Sequence, residues 1–206
     1  MMPPERTGTV ACVVLAAGTS SRMGTNKLLL DLDGEPVVRR AAQRALGAGL
    51  NPVVVVLGHE APLVQQAIGD VAALVRLVLN PDYLLGVNRS LRTGILSLPD
   101  TVGACVVVLA DMPFVTSEML SGLVTEYRAS PAPLVISDYA GVNAPPMLYD
   151  RALFGELLTM EGEGCGRAVV KRHRAVAAVL KWPAAALNDI DVPADYELIR
   201  TSMSLG

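Results

Sequence analysis

The run VACVVLAA, residues 10–17, constrains the fold more than any other stretch of the chain. It has no polar side chain and is closed at once by Gly18. That is the composition of a central parallel strand covered on both faces, since a half-exposed strand alternates polar and apolar residues. Two more runs of the same kind follow, in NPVVVVLGH (51–59) and ACVVVLAD (104–111). Between the first two, Val37, Val38, Ala41, Ala42, Ala45 and Leu46 recur at helical spacing after Pro36 and stop at Gly49. Alternation of buried strands with helices predicts a doubly wound, mostly parallel α/β sheet.

The rest of the pattern extends that reading. Asp33-Gly34 signals a tight hairpin turn. Short helices are expected at residues 61–68 and 90–98, with a strand at 74–80 between them. Thr116 is a good N-cap for a helix through Ala129, with Glu118 in its first turn. The last third is less regular. Strands are expected at 133–139, 146–149 and 175–182, one of them antiparallel. Helices are expected at 151–160, 167–173 and from Pro193 onward. EGEGCG, residues 161–166, reads as a glycine-rich joint. We expect one domain over residues 1–206 with its core at about 10–200, and fraying of the two or three residues at each end.

Composition removes several classes of function. Hydrophobic residues are 51% of the 206 and aromatics only 4%, so the core is large and aliphatic. The net charge is -3, with 17 Lys+Arg against 20 Asp+Glu, which argues against a nucleic-acid binder with a basic face. No apolar run reaches the roughly 18 residues of a membrane span, and the N-terminal residues show no signal-peptide core, so a cytoplasmic location without membrane contact is expected. Cys12, Cys105 and Cys165 form no C-x-x-C pair, and neither a disulfide nor zinc is indicated.

The loop after the first strand carries the chemistry. Gly18 lets a ligand approach the backbone, and Thr19, Ser20 and Ser21 add hydroxyls. Arg22 and Lys27 supply a forked cation and a point cation for phosphate oxygens. Five residues separate Gly18 from Gly24 and Lys27 is not adjacent to the second glycine, so this is not a P-loop. G-x-G-x-x-G is absent as well. An ordinary turn with solvated charges remains the alternative. In open parallel sheets ligands bind at the carboxyl ends of strands, where Gly18, His59 and Asp111 fall. A carboxylate there suits Mg²⁺, which takes one or two carboxylates plus substrate phosphates; Asp111 also suits the turn before Pro113. Asp189 and Asp191 alternate, and in a strand they share a face. Asp191 or Asp195 equally suits a helix N-terminus.

LAAG-x-S-S-R-M-G followed by K-L-L-L resembles the nucleotide-binding signature of the MobA-like nucleotidyltransferases, and within them the molybdenum cofactor cytidylyltransferase branch. The resemblance runs from about residue 10 to 197 and implies a Rossmann-like nucleotidyltransferase. It implies a nucleotide site at Leu15, Ala16, Ala17, Gly18, Thr19, Arg22 and Lys27. Asn80 and Ser90, in a segment similar to N-P-x-x-x-x-G-M-x-x-S-L-R, are implied for base or ribose, although Ser90 also suits a helix cap. Catalysis is implied for Arg22, Lys27 and Asp111, and Mg²⁺ for Asp111 and Asp191 with Asp189 in support. His59 matches the family's G-H and is left out of catalysis. Gly166 and Arg167, in a segment similar to G-D-x-G-A-R, are implied for the acceptor; a solvated basic helix face (Arg167, Lys171, Arg172, Arg174) is the alternative. Ala-Ala-Gly at 16–18 accompanies cytidine in the family, whereas Asp111-Met112-Pro113 is similar to the guanylyltransferases. The implied reaction moves CMP from CTP to a phosphate monoester, molybdopterin in the family, with a molybdenum enzyme as a possible partner. One departure stands out: the chain has Asn143-Ala144-Pro145-Pro146 where the family often has R-G-H-P.

Overall fold

The computed structural model describes residue 6, residues 8–161 and residues 164–203. Residues 1–3 and 204–206, expected to fray, lie outside the described residues, as do Gly162 and Glu163 of the glycine-rich joint.

Among the described residues there are ten strands and seven α-helices. The strands are β1 Thr9–Ala16, β2 Asp31–Leu32, β3 Glu35–Pro36, β4 Val53–Leu57, β5 Arg76–Leu79, β6 Val102–Leu109, β7 Leu134–Tyr139, β8 Val142–Asn143, β9 Met147–Asp150 and β10 Ala178–Trp182. The helices are α1 Val37–Gly47, α2 Ala61–Ile68, α3 Val87–Leu96, α4 Ser117–Ala129, α5 Phe154–Leu158, α6 Arg167–His173 and α7 Pro193–Met203. β2 and β3 form the expected hairpin, with Asp33 and Gly34 both at positive φ (56° and 80°). The other strands form one sheet in the order β10-β7-β9-β6-β1-β4-β5, with β8 paired to β7. β1, β4, β5 and β6 are mutually parallel, as are β7 and β10; β9 is antiparallel to both of its neighbours. The fold is therefore the mostly parallel, doubly wound α/β sheet expected.

The absence of polar residues after Thr9 in β1 has its cause in this order. β1 lies between β4 and β6 and is covered on both faces. Cys12, Val14 and Ala16 point into the layer that holds α1, α2 and α4. Ala11, Val13 and Leu15 point into the layer of α3, α5 and α6. α3 reaches β1 at Gly94, where an added Cβ would lie 2.4 Å from Val13 Cγ1. A side chain there would push the helix off the sheet. From β1 the chain winds outward through β4 and β5, then returns to β6 on the other side. The crevice where the order reverses is the usual ligand position in such sheets.

Several boundaries differ from the sequence reading. Gly86, at φ 105°, redirects the chain so that α3 starts at Val87 rather than Ser90 and ends at Leu96. Residues 69–74 form a 3-10 turn, which shortens the strand expected at 74–80 to β5. The helix expected at 151–160 is a 3-10 turn followed by the short α5. A further turn, Arg174–Val176, replaces the first residues of the strand expected at 175–182. Asp189 and Asp191 lie in no strand. No helix among the described residues is long and apolar enough to cross a membrane.

Candidate active site

A cleft of about 1250 Å³ opens at the carboxyl ends of β1 and β6. Leu15 and Leu109 are register partners, so the two strands end side by side. Their continuations supply the first two parts of the site. After β1 the chain passes Gly18, where an added Cβ would meet nothing within 4 Å, so the backbone borders open space. Ser20 takes a left-handed conformation (φ 52°); its hydroxyl accepts from the Lys27 N–H at 3.1 Å and its carbonyl from the Met23 N–H at 2.9 Å. Buried Asn26 caps the 3-10 turn Lys27–Leu29 by accepting from the Leu28 N–H. With Leu28 packed in the core, this cap fixes where Lys27 leaves the backbone. After β6, Asp111 begins the turn before Pro113.

The third part comes from far along the chain. Ile190 is fully buried, and its N–H donates to the Asp111 carbonyl at 3.2 Å. The Asp191 and Val192 N–H groups donate to Asp195 Oδ2 at 3.0 and 2.9 Å, which secures the start of α7. The Tyr196 hydroxyl donates to the Asp31 carbonyl and ties α7 to the β2–β3 hairpin. These anchors, not strand alternation, bring Asp189 and Asp191 beside Asp111. The three residues each offer a carboxylate oxygen within 4.8 Å of the others.

Two cations balance this cluster. Lys27 Nζ stands 2.5 Å from Asp111 Oδ2 and 3.1 Å from Asp191 Oδ1, and Arg22 Nη1 stands 2.6 Å from Asp191 Oδ2. Lys27 is mostly buried and Arg22 is exposed, with side chains 12% and 70% accessible. Burial acts to lower the Lys27 pKa, but the adjoining Asp111 and Asp191 raise it above the ordinary lysine value. Burial likewise acts to raise Asp191, yet Lys27 and Arg22 hold its carboxyl below the usual range. Asp189 has no cation at hydrogen-bonding distance among the described residues. Its side chain is largely exposed, but its carboxyl is raised, first by partial loss of water and then by Asp191 and Asp111. Three hard oxygen donors at this spacing suit a divalent cation such as Mg²⁺ or Mn²⁺.

Leu15, Ala17, Gly18, Thr19, Arg22 and Lys27 line the cleft; Ala16 does not, because it faces the opposite layer of the core. Ser90 also lines it, from inside the first turns of α3, and is no cap. Asn80 is buried behind Ser90: its Nδ2 donates to the Ser90 hydroxyl at 3.0 Å and its Oδ1 accepts from the Asp82 N–H. Asn80 is thus placed to hold Ser90 and the loop. His59 donates its N–H to the Ala17 carbonyl, a backbone tie between the ends of β1 and β4. Gly58 is required beside it, since a Cβ there would lie 2.7 Å from Ala17 Cβ. Arg167 lines the cleft, whereas Gly166 sits behind it: at φ 83°, an added Cβ would lie 2.5 Å from the Tyr149 hydroxyl oxygen. Asn143, Ala144 and Pro145, where the family motif is missing, line the cleft too. Sequence reasoning left Lys171 and Arg174 on a solvated face, and both line the cleft. Their spacing, Lys171 four residues after Arg167 and Arg174 three after Lys171, was the available signal.

Residues 12–177 match the MobA-like NTP transferase domain. The purine catabolism protein PucB of Bacillus subtilis is 30% identical over 208 residues, covering 93% of this chain and 96% of that protein. The crystal structure of Rv0371c from Mycobacterium tuberculosis superposes with a TM-score of 0.82 at 26% identity, covering 94% of this chain and 98% of that one. A structure of Rv0371C in complex with manganese superposes at 0.80 and 25% identity, over 94% and 99% of the two chains. With its sheet order, its crevice and a match over most of its length, the chain belongs to the MobA-like NTP transferase family.

Proposed function

We propose that this nucleotidyltransferase moves CMP from CTP to a phosphate monoester in a Mg²⁺-dependent reaction, with molybdopterin as the acceptor. The observation that carries the reading is the convergence of Asp111, Asp189 and Asp191 on Lys27 and Arg22 at the sheet's switch point. Asp111 and Asp191, with Asp189 beside them, would hold the metal; the manganese complex of the related Rv0371C supports a divalent ion. When bound, such an ion neutralises charge on the triphosphate and on the transition state. Lys27 and Arg22, released from the carboxylates, would then turn to phosphate oxygens. The Gly18 backbone borders the nucleotide, and Ser90 faces it from α3.

The attacking oxygen belongs to a phosphate whose second pKa is about 6, so it is already ionised near neutrality and no general base is required. It forms a bond to the α-phosphorus as the bond to the β-bridging oxygen breaks, and pyrophosphate leaves. The chain's part is positioning and charge neutralisation. That suits a site built from cations and carboxylates, with His59 engaged through its backbone. A molybdenum enzyme as recipient of the product and a cytoplasmic setting belong to the same reading.

Ala17 favours CTP. Ala17 lines the cleft at the end of β1 with its Cβ beside Gly58, and on this reading it leaves less room for a base than a glycine would. A difference of one methyl in a pocket is worth about 1–3 kcal/mol, so Ala17→Gly should narrow or reverse the preference in CTP/GTP competition. GTP is the second reading, favoured by Asp111-Met112-Pro113. Pyrophosphate release and thermal shifts with the four nucleoside triphosphates and Mg²⁺ test the function. CTP should give the largest shift. A largest shift with GTP would transfer the reading to a guanylyltransferase. Nucleotide binding without pyrophosphate release, given molybdopterin, would favour a binding protein that assists a molybdenum enzyme.

A further inference from the structure

The cleft has a second charged wall. Arg167 and Lys171 of α6, with Arg174 just beyond it, line the cavity from the side of β9, the strand next to β6. Arg167 and Lys171, four apart, share one face of α6, and Arg174, in the 3-10 turn that follows, lines the same cavity. None of the three has a carboxylate at ion-pair distance among the described residues, whereas Arg172 and His173, turned elsewhere on the same helix, are both taken by Glu156. The carboxylates that line the cleft among the described residues are Asp111, Asp189 and Asp191, and Lys27 and Arg22 pair with the first and last of them. Like charges four apart on a helix repel. All three are exposed and screened by water and salt, and an anionic ligand entering the cleft would give them the specific partner that no described carboxylate supplies at ion-pair distance.

We propose that this wall selects an acceptor with two anionic groups: the attacking phosphate monoester, met by Arg167, and a second acidic group on the same molecule, held by Lys171 and Arg174. The inference rests on the nucleotidyl-transfer reading and narrows its acceptor to a doubly acidic phosphate ester. A neutral sugar phosphate offers only the first group and leaves two cations unserved. Asn143, Ala144 and Pro145, across the same cleft, supply no formal charge of their own, so the recognition of charge falls to α6.

The test uses the full chain with Mg²⁺ and a CTP analogue that cannot release pyrophosphate. Two probes, 3-phosphoglycerate and glycerol 3-phosphate, have the same size and the same phosphate, and differ by a carboxylate in place of a hydroxymethyl group. Dissociation constants are read by NMR titration. The acid should bind about tenfold tighter, the effect of one added charge-assisted contact. Lys171→Ala combined with Arg174→Ala should bring the two probes within about twofold, while Arg172→Ala, on the Glu156 side, keeps the ratio. Equal affinities in the unaltered protein, or no binding of either probe, would overturn the proposal. So would a double variant that loses affinity for the CTP analogue as strongly as for the acid, because the wall would then serve the triphosphate. Binding of the CTP analogue in the same samples reports on the transfer reading separately. A retained probe ratio without Mg²⁺-dependent analogue binding would sink that reading and leave the selective wall standing.

Discussion

The two walls of the cleft carry the same kinds of side chain in opposite states. After β1, Lys27 and Arg22 are paired: each touches a carboxylate, and Lys27 touches two. On α6 and in the turn just after it, Arg167, Lys171 and Arg174 have no such partner among the described residues. The difference teaches that cations in one cavity need not do one job. The first wall pairs its charge with the carboxylates proposed to hold the metal, and on that proposal exchanges partners when metal and triphosphate arrive together. The second has nothing to exchange and is ready for an anion. It follows that metal and nucleotide should bind better together than either does alone.

The largest expected effect breaks the first wall. Asp111→Asn is nearly isosteric at a strand end and should leave melting unchanged within a few degrees. Turnover should fall by about three orders of magnitude, since a bound metal supplies several kcal/mol of transition-state stabilisation. Steady-state pyrophosphate release and a melting curve on one preparation check both halves. Lys27→Ala comes next. Removing a charge-assisted contact should weaken CTP by about 10- to 100-fold. The same change frees Asp111 and Asp191, so Mn²⁺ added without nucleotide should bind more tightly than to the unaltered protein. Calorimetry of Mn²⁺ and of CTP in separate titrations would show the two opposite signs.

A glycine pair separates function from packing. An added Cβ at Gly18 meets open cleft, so Gly18→Ala should leave stability unchanged and weaken nucleotide binding. At Gly94 the added Cβ collides with Val13, so Gly94→Ala should destabilise by about 1–3 kcal/mol. Urea denaturation beside CTP titration distinguishes them. The smallest effect concerns protons. The Asp189 carboxyl is raised, so its ionisation opposes folding as pH climbs through the window from its unfolded value to its higher folded one. Asp189→Asn should therefore add a little stability at about pH 7 and none at about pH 3, below the unfolded carboxylate value. Asp191, held low by Lys27 and Arg22, has the opposite sign: its contribution is present above the unfolded value and is lost as pH falls through its depressed folded value.

The legible half of the molecule is the half built by unbroken apolar runs. β1, β4 and β6 carry no polar residue in their central positions because helices cover both faces, and that pattern is visible in one dimension. The ends of β1 and β6 then fix Gly18 and Asp111 together. The rest depends on contacts between distant segments. Asp189 and Asp191 reach Asp111 through the buried Ile190 and one backbone hydrogen bond, with no strand pairing to announce them. Asn80 looks like a ligand in sequence but spends its side chain on Ser90 and Asp82. Ala16 matches the family motif yet faces the core, since adjacent residues of a strand point to opposite sides. The cations of α6 differ only in which way the helix turns them, and this depends on Val169 and Val170 packing inward.

The central claim is that one divalent ion joins the carboxylate cluster to the triphosphate while Lys27 and Arg22 change partners. Anomalous scattering from crystals grown with Mn²⁺ and a non-reacting CTP analogue tests it most directly. The account predicts an Mn²⁺ peak bound by Asp111 and Asp191 oxygens and by a nucleotide phosphate, with Lys27 Nζ on a phosphate oxygen rather than on Asp111. A nucleotide bound in the cleft with Mn²⁺ elsewhere, or with Lys27 still paired to Asp111, would contradict it.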